Sequence, residues 1–260
     1  MSGVALAGVG VITGWGAGVE ALPADAAAAA GDRAIVAAAT PELGGERFRR
    51  ATRECRLAVA AAQAMVDDAR VSREELAGTR TALLYVTAAA YAASNRAFIE
   101  PGGAGALHFP YTAPSAVPAE VTIEYGLRGP YVTLIGGAVA TLEALAWAGR
   151  LLAERVCDRA LVLAVETFAE CADLFARDRR LLGRPLTEAA GCALLVRGER
   201  RLTVRDGDAA SALTARTQHR VGETLACGPL VALALARAAG DDPWRLSGRW
   251  RGRTTALVGS

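Results

Sequence analysis

The sequence contains no lysine: all 29 basic residues are arginine. P-loop NTPases, Schiff-base and pyridoxal-phosphate enzymes, and dehydrogenases built on a Tyr–Lys pair all need that amine. Arginine stays protonated and cannot replace it as base or nucleophile. Histidine is nearly absent as well, with only His108 and His219, so a three-histidine zinc site is impossible. Aromatic residues make up 5% of the chain, too few for a base-stacking surface. The five cysteines, Cys55, Cys157, Cys171, Cys192 and Cys227, form no C-x-x-C pair and sit mostly in apolar runs. They read as buried, reduced thiols of a cytoplasmic protein, and no cofactor is expected. No basic residue precedes Arg33, which argues against an export signal, and no apolar run is long and clean enough to span a bilayer.

What is present is enough apolar material for a sizeable core. The 260 residues are 52% hydrophobic and 22% charged, with a net charge of +2. That balance suggests neither a nucleic-acid-binding nor a polybasic membrane protein. Strand-like runs occur at Val4–Val11, Thr81–Val86, Tyr131–Ile135, Ala160–Glu166, Gly191–Arg197 and Arg253–Val258. Helical spacing occurs at Arg47–Ala69, Ala138–Arg155 and Gly222–Ala239, with shorter helices at Ala26–Ala30 and Phe168–Phe175. Ser72 with Glu74 and Glu75 predicts a capped turn. Strands alternating with helices, both apolar enough to be covered on two faces, predict one layered α/β domain over residues 1–260.

Local motifs are weak. Gly8-Val9-Gly10 with Gly14 follows a strand, but the spacing is not G-x-G-x-x-G, and a tight strand-to-loop turn is the simpler reading. No G-x-S-x-G elbow exists. Arg245, Arg249, Arg251 and Arg253 cluster around Trp244 and Trp250, which reads as a solvated face or a surface for an acidic partner.

Gly126–Ala148, GLRGPYVTLIGGAVATLEALAWA, resembles the nucleophile region of β-ketoacyl synthases, where a G-P-x-x-T strand leads through an Ala-Cys turn into a helix. Other segments agree in order: Ala7–Gly14, Arg47–Ala69, Pro114–Gly126, Arg159–Glu166 and Glu188–Val196. The resemblance covers residues 1–198 and implies a thiolase-like α/β layered fold. Residues 199–260 would be a shortened remnant of a second half that normally needs roughly another 150 residues.

Against that family the chemistry is missing. Ala138 stands at the nucleophile position, where no acyl-thioester can form. Glu223 stands where a Gly-His-Thr turn would carry histidine, and the family's lysine cannot exist here. The resemblance therefore implies a chain length factor of a type II polyketide synthase, with no catalytic residues of its own. Such a subunit pairs with a catalytic ketosynthase and shapes the tunnel for a polyketide, in short members a polyene, carried on an acyl carrier protein. Val132, Thr133, Leu134 and Ile135 would lie at the partner interface. The loop His108–Ser115, with Phe109, Tyr111 and Thr112, would border the substrate tunnel. The arginine cluster becomes a candidate contact for the acidic carrier. Two alternatives stay open: a stand-alone acyl-binding or scaffold homodimer, and an enzyme with new chemistry at His108, Glu223 or Cys227.

Overall fold

The computed structural model describes residues 3–49, 51–100, 106–175, 183–207, 211–241 and 245–259. Its strands are β1 (Gly3–Thr13), β2 (Gly16–Ala17), β3 (Ile35–Val36), β4 (Thr81–Thr87), β5 (Tyr131–Ile135), β6 (Arg159–Glu166), β7 (Leu186–Thr187), β8 (Ala189–Gly198), β9 (Leu202–Asp206), β10 (Arg245–Trp250) and β11 (Arg253–Gly259). Six of them form the central sheet in the order β2-β1-β8-β6-β4-β5. β8 runs antiparallel to β1 and β6, while β4 is parallel to both β6 and β5.

Strand periodicity sorts this sheet's side chains into two cores. Leu83, Tyr85, Leu161 and Leu163 face the helices Arg53–Ala69 and Ala116–Tyr125. Ala82, Leu84, Val86, Val162 and Ala164 face the helices Ala138–Ala153 and Gly228–Ala239. Both faces are covered, which is why β4 is buried along its whole length and β6 almost so. Beyond the Ala138–Ala153 helix lies a three-stranded sheet, β10-β11-β9, as a further layer. This small sheet and the helices Ala212–Val221 and Gly228–Ala239 make up the C-terminal part.

Several expectations are corrected by packing. Gly8 and Gly10 form no dinucleotide loop; both lie within β1, and the tight turn comes after it, at Gly14 and Trp15. A Cβ at Gly10 would stand 2.3 Å from the Met65 backbone nitrogen, and one at Gly8 would stand 2.5 Å from the Ala69 Cβ. The glycines let a helix lie directly on the strand. The helix predicted from Arg47 begins at Arg53, because Thr52 is extended and Glu46–Arg49 forms a separate 3-10 turn. The helix predicted from Gly222 begins at Gly228: Gly222 has φ 89°, and a 3-10 turn at Leu225–Cys227 intervenes. The arginine-rich C-terminal stretch, expected as a solvated face, is only partly one: it forms β10, with exposed Arg245 and Arg249 flanking buried Leu246, Ser247 and Gly248. Trp244 lies outside the described residues. The capped turn at Ser72 is present as a capping box with Glu75.

Candidate functional site

β5 runs through Gly136 and Gly137 into the 16-residue helix headed by Ala138. Gly137 has a negative φ, so its conformation alone does not call for glycine. Space does. A Cβ at Gly137 would stand 2.3 Å from Cε3 of Trp250, whose indole lies on the turn. One residue pair earlier on β10, a Cβ at Gly248 would stand 2.9 Å from the Ala138 Cβ. The β10–β11 hairpin is therefore seated on the start of this helix, where bare backbone on each side permits the approach.

Ala138 and Glu223, far apart in sequence, line one cavity of about 650 Å³, bounded by Val221–Leu225, Gly228, Pro229, the Ala212–Val221 helix and the β10–β11 turn. Glu223 is ion-paired with Arg184 at 3.0 Å, and its other oxygen accepts from the Leu225 backbone N–H at 3.0 Å. A carboxylate held this way anchors the turn. Thr141 Oγ1 donates to the Ala226 carbonyl at 2.6 Å and ties the same turn to the Ala138 helix. Cys227, the neighbouring thiol, is fully buried and bonds the Ala189 carbonyl at 3.2 Å. Burial pushes its pKa well up, which disfavours the thiolate that a nucleophile requires. The His108 side chain lies outside the described residues, and His219 is exposed on its helix.

Two buried carboxylates that sequence reasoning missed hold the surroundings in place. Glu166, at the end of β6, is fully buried and accepts from the backbone N–H groups of Ala88 at 2.6 Å, Ala89 at 2.9 Å and Ala226 at 3.3 Å. Burial nevertheless pushes its pKa up to about 8. Glu188, also fully buried, binds Arg53 at 2.6 and 2.7 Å and accepts from Phe168, Ala169 and Ala38 N–H groups. Burial opposes its charge, but Arg53 and the backbone donors outweigh that and hold its carboxyl below the usual range. The available signal was a lone acid at the edge of an apolar strand run: ALVLAVE for Glu166, and the Thr187-Glu188 pair before AAGCALLV.

The predicted interface strand is the edge of the sheet, and among the described residues no strand pairs with its outer side. The Pro130 carbonyl accepts from Leu83, and Gly136 donates to Thr87. By alternation, Val132 and Leu134 bond inward to β4, while Tyr131, Thr133 and Ile135 aim N–H and C=O groups outward. Tyr131 and Ile135 are 42% and 54% exposed, so an apolar edge with open hydrogen-bonding groups stands uncovered. Phe109, Tyr111 and Thr112 lie in a 3-10 turn, Ala106–Thr112, that leads into the Ala116–Tyr125 helix. Phe109 is 61% exposed and meets the Phe98 ring at 5.6 Å with the planes tilted by 56°, while Tyr111 packs against the core. Thr112 Oγ1 donates to the Phe109 carbonyl at 2.8 Å, and the Thr112 carbonyl accepts from Asn95 at 3.0 Å. This turn does not line the cavity that holds Ala138. Ser115, just beyond it, meets the Tyr131 hydroxyl at 3.5 Å, which brings the turn's end to the open edge of β5.

A family description, the β-ketoacyl synthase N-terminal domain, matches residues 9–185. The chain belongs to that family. Its fold is similar to the structure described as the ishigamide ketosynthase/chain length factor, with TM-score 0.71, 17% identity and 99% of each chain covered. It is similar to a β-ketoacyl synthase from Burkholderia phymatum STM815, with TM-score 0.73, 15% identity, and 100% of this chain and 99% of the other covered. A third structure, AntDE:AntF, described as a type II PKS acyl-carrier protein in complex with its ketosynthase, gives TM-score 0.72 at 13% identity, with 100% and 99% covered. No curated protein matches the chain. These likenesses establish the thiolase-like α/β layered fold. No helix among the described residues is long and apolar enough to cross a membrane.

Proposed function

We propose that this chain is a non-catalytic chain length factor: a subunit that pairs with a catalytic ketosynthase and shapes the tunnel for a polyketide, of the polyene type, growing on an acyl carrier protein. The observation that carries the reading is the cavity shared by Ala138 and Glu223. The helix start that faces it offers a methyl group in place of a thiol. The acid across from it is committed to Arg184. With no lysine in the chain and Cys227 buried, no nucleophile–base pair remains there. A scaffold kept without its chemistry acts through a partner, and the open, apolar edge of β5 is the surface that supports one. Val132, Thr133, Leu134 and Ile135 form that edge, with Phe109, Tyr111 and Thr112 in the turn beside it as the tunnel-bordering residues.

The test is the native mass of the chain co-expressed with the ketosynthase encoded nearest to it. A one-to-one heterodimer is expected. A chain that stays alone, or that forms only a homodimer through the same edge, overturns the pairing and favours a stand-alone acyl-binding or scaffold protein.

A further inference from the structure

The central sheet ends in β5 on one side, and the chain leaves that edge uncovered. The other end is treated differently. There β1, GVALAGVGVIT, carries no charge and no proline over 11 residues. β8 pairs with one side of it along its length, but on the other side β2 covers only Ile12 and Thr13. An uncharged apolar strand with an open side is a template for strand addition.

Two charged side chains close that side. The Asp68 carboxylate accepts from the Val9 backbone N–H at 2.8 Å. The Arg237 guanidinium donates to the carbonyls of Leu6 at 3.2 Å and Ala7 at 3.0 Å. Those carbonyls lie at the irregularity between Leu6 and Gly8, where the register of β1 against β8 shifts. Arg237 Nε also meets, at 2.8 Å, the same Asp68 oxygen that holds Val9. Asp68 comes from the helix Arg53–Ala69 on one face of the sheet, and Arg237 from the helix Gly228–Ala239 on the other. The pair therefore reaches around the edge and joins the two outer layers. Asp68 sits in the last turn of its helix, where the helix dipole disfavours an acid, so local preference does not account for it. Both side chains are more than a third exposed, so the ion pair alone contributes little. What it supplies is partners for three backbone groups beside the bulge.

We propose that the Asp68–Arg237 pair is a clasp that blocks strand addition at β1 and so confines edge-to-edge assembly of this sheet to β5. The strand it keeps out is the β5 edge of a second copy, whose outward N–H and C=O groups and exposed Tyr131 and Ile135 are uncovered. A β1-to-β5 contact is head-to-tail and leaves a free edge at each end, so it propagates into open assemblies. The clasp acts on this chain's own edges and does not rest on the synthase reading.

The test compares the full chain with Asp68→Ala/Arg237→Ala by light scattering on a sizing column over a range of concentrations, with thermal unfolding as the check on folding. The double variant is expected to reach a weight-average mass about twofold or more above the wild type, growing with concentration. Adding Thr133→Pro, which removes an outward N–H of β5, should bring the mass back to no more than the wild-type value. The charge exchange Asp68→Arg/Arg237→Asp keeps an ion pair but sets a donor against the Val9 N–H and an acceptor against the two carbonyls, so it should assemble like the alanine variant. In the wild type, the Val9 amide should be protected from hydrogen exchange although its partner is a side chain. A folded alanine or charge-exchange variant with the wild-type mass at every concentration, assemblies that persist with Thr133→Pro, or an unprotected Val9 amide in the wild type would overturn the inference.

Discussion

Replacing Thr133 with proline isolates the edge of β5 from the rest of the fold. Thr133 is the central residue whose N–H and C=O point away from β4, since Pro130 and Gly136 fix the alternation of the inward bonds. Proline removes only the outward donor, and edge strands tolerate it on that side. The sheet inside the chain should therefore keep its pairing. A partner strand laid against the edge would lose one hydrogen bond and leave a carbonyl unsatisfied, which costs about 1–3 kcal/mol. That corresponds to roughly five- to 150-fold weaker association. Leu134→Pro is the contrasting variant: its N–H bonds inward to β4, so the fold itself should suffer. The assay is the dissociation constant of the co-purified complex for each chain, with thermal unfolding as the check on folding. A Thr133→Pro chain that binds the ketosynthase with wild-type affinity would refute the edge as the interface, and a Leu134→Pro chain as stable as Thr133→Pro would refute the assignment of inward and outward bonds.

Four other outcomes are expected. Ala138→Cys in the isolated chain should give no condensation product in a malonyl-carrier assay, because the thiol would have neither lysine nor histidine beside it; any turnover contradicts the reading. Phe109→Ala in the complex should shift the product length read by mass spectrometry, whereas an unchanged distribution would place the tunnel end elsewhere. Arg53→Met should cost about 3–5 kcal/mol in denaturant unfolding, because it strands the fully buried Glu188 carboxylate; a loss below about 1 kcal/mol would show that the backbone donors suffice. Glu166 sets a pH dependence whose sign follows from its raised pKa. The folded chain holds this proton more tightly than the unfolded chain, whose value is near 4.5, so the contribution is full below pH 4.5 and is lost as pH rises through about 8. Thermal midpoints should therefore fall across that window more steeply in the wild type than in Glu166→Gln, and parallel curves would count against the shift.

The sequence by itself determined the layered class, the order of its main strands and helices, and the residue types it lacks. Continuous apolar runs mark β4, β6 and β8 because each is buried on both faces, and the absence of lysine and of a thiol at Ala138 is a property of composition that no folding can repair. Tertiary structure alone decided which distant residues meet. Gly8 and Gly10 imitated a nucleotide loop because local sequence cannot reveal that a helix rests on that strand. Arg245–Trp250 passed for a solvated face because only one of its three buried positions, Leu246, is apolar; the burial of Ser247 and Gly248 depends on what packs beneath them rather than on their own hydrophobicity. The pairing of Glu223 with Arg184 and the meeting of Ala138, Trp250 and Glu223 around one cavity span the chain from residue 138 to residue 250. Such contacts follow from how layers stack, and a periodic pattern of apolar residues records which face is covered but not what covers it.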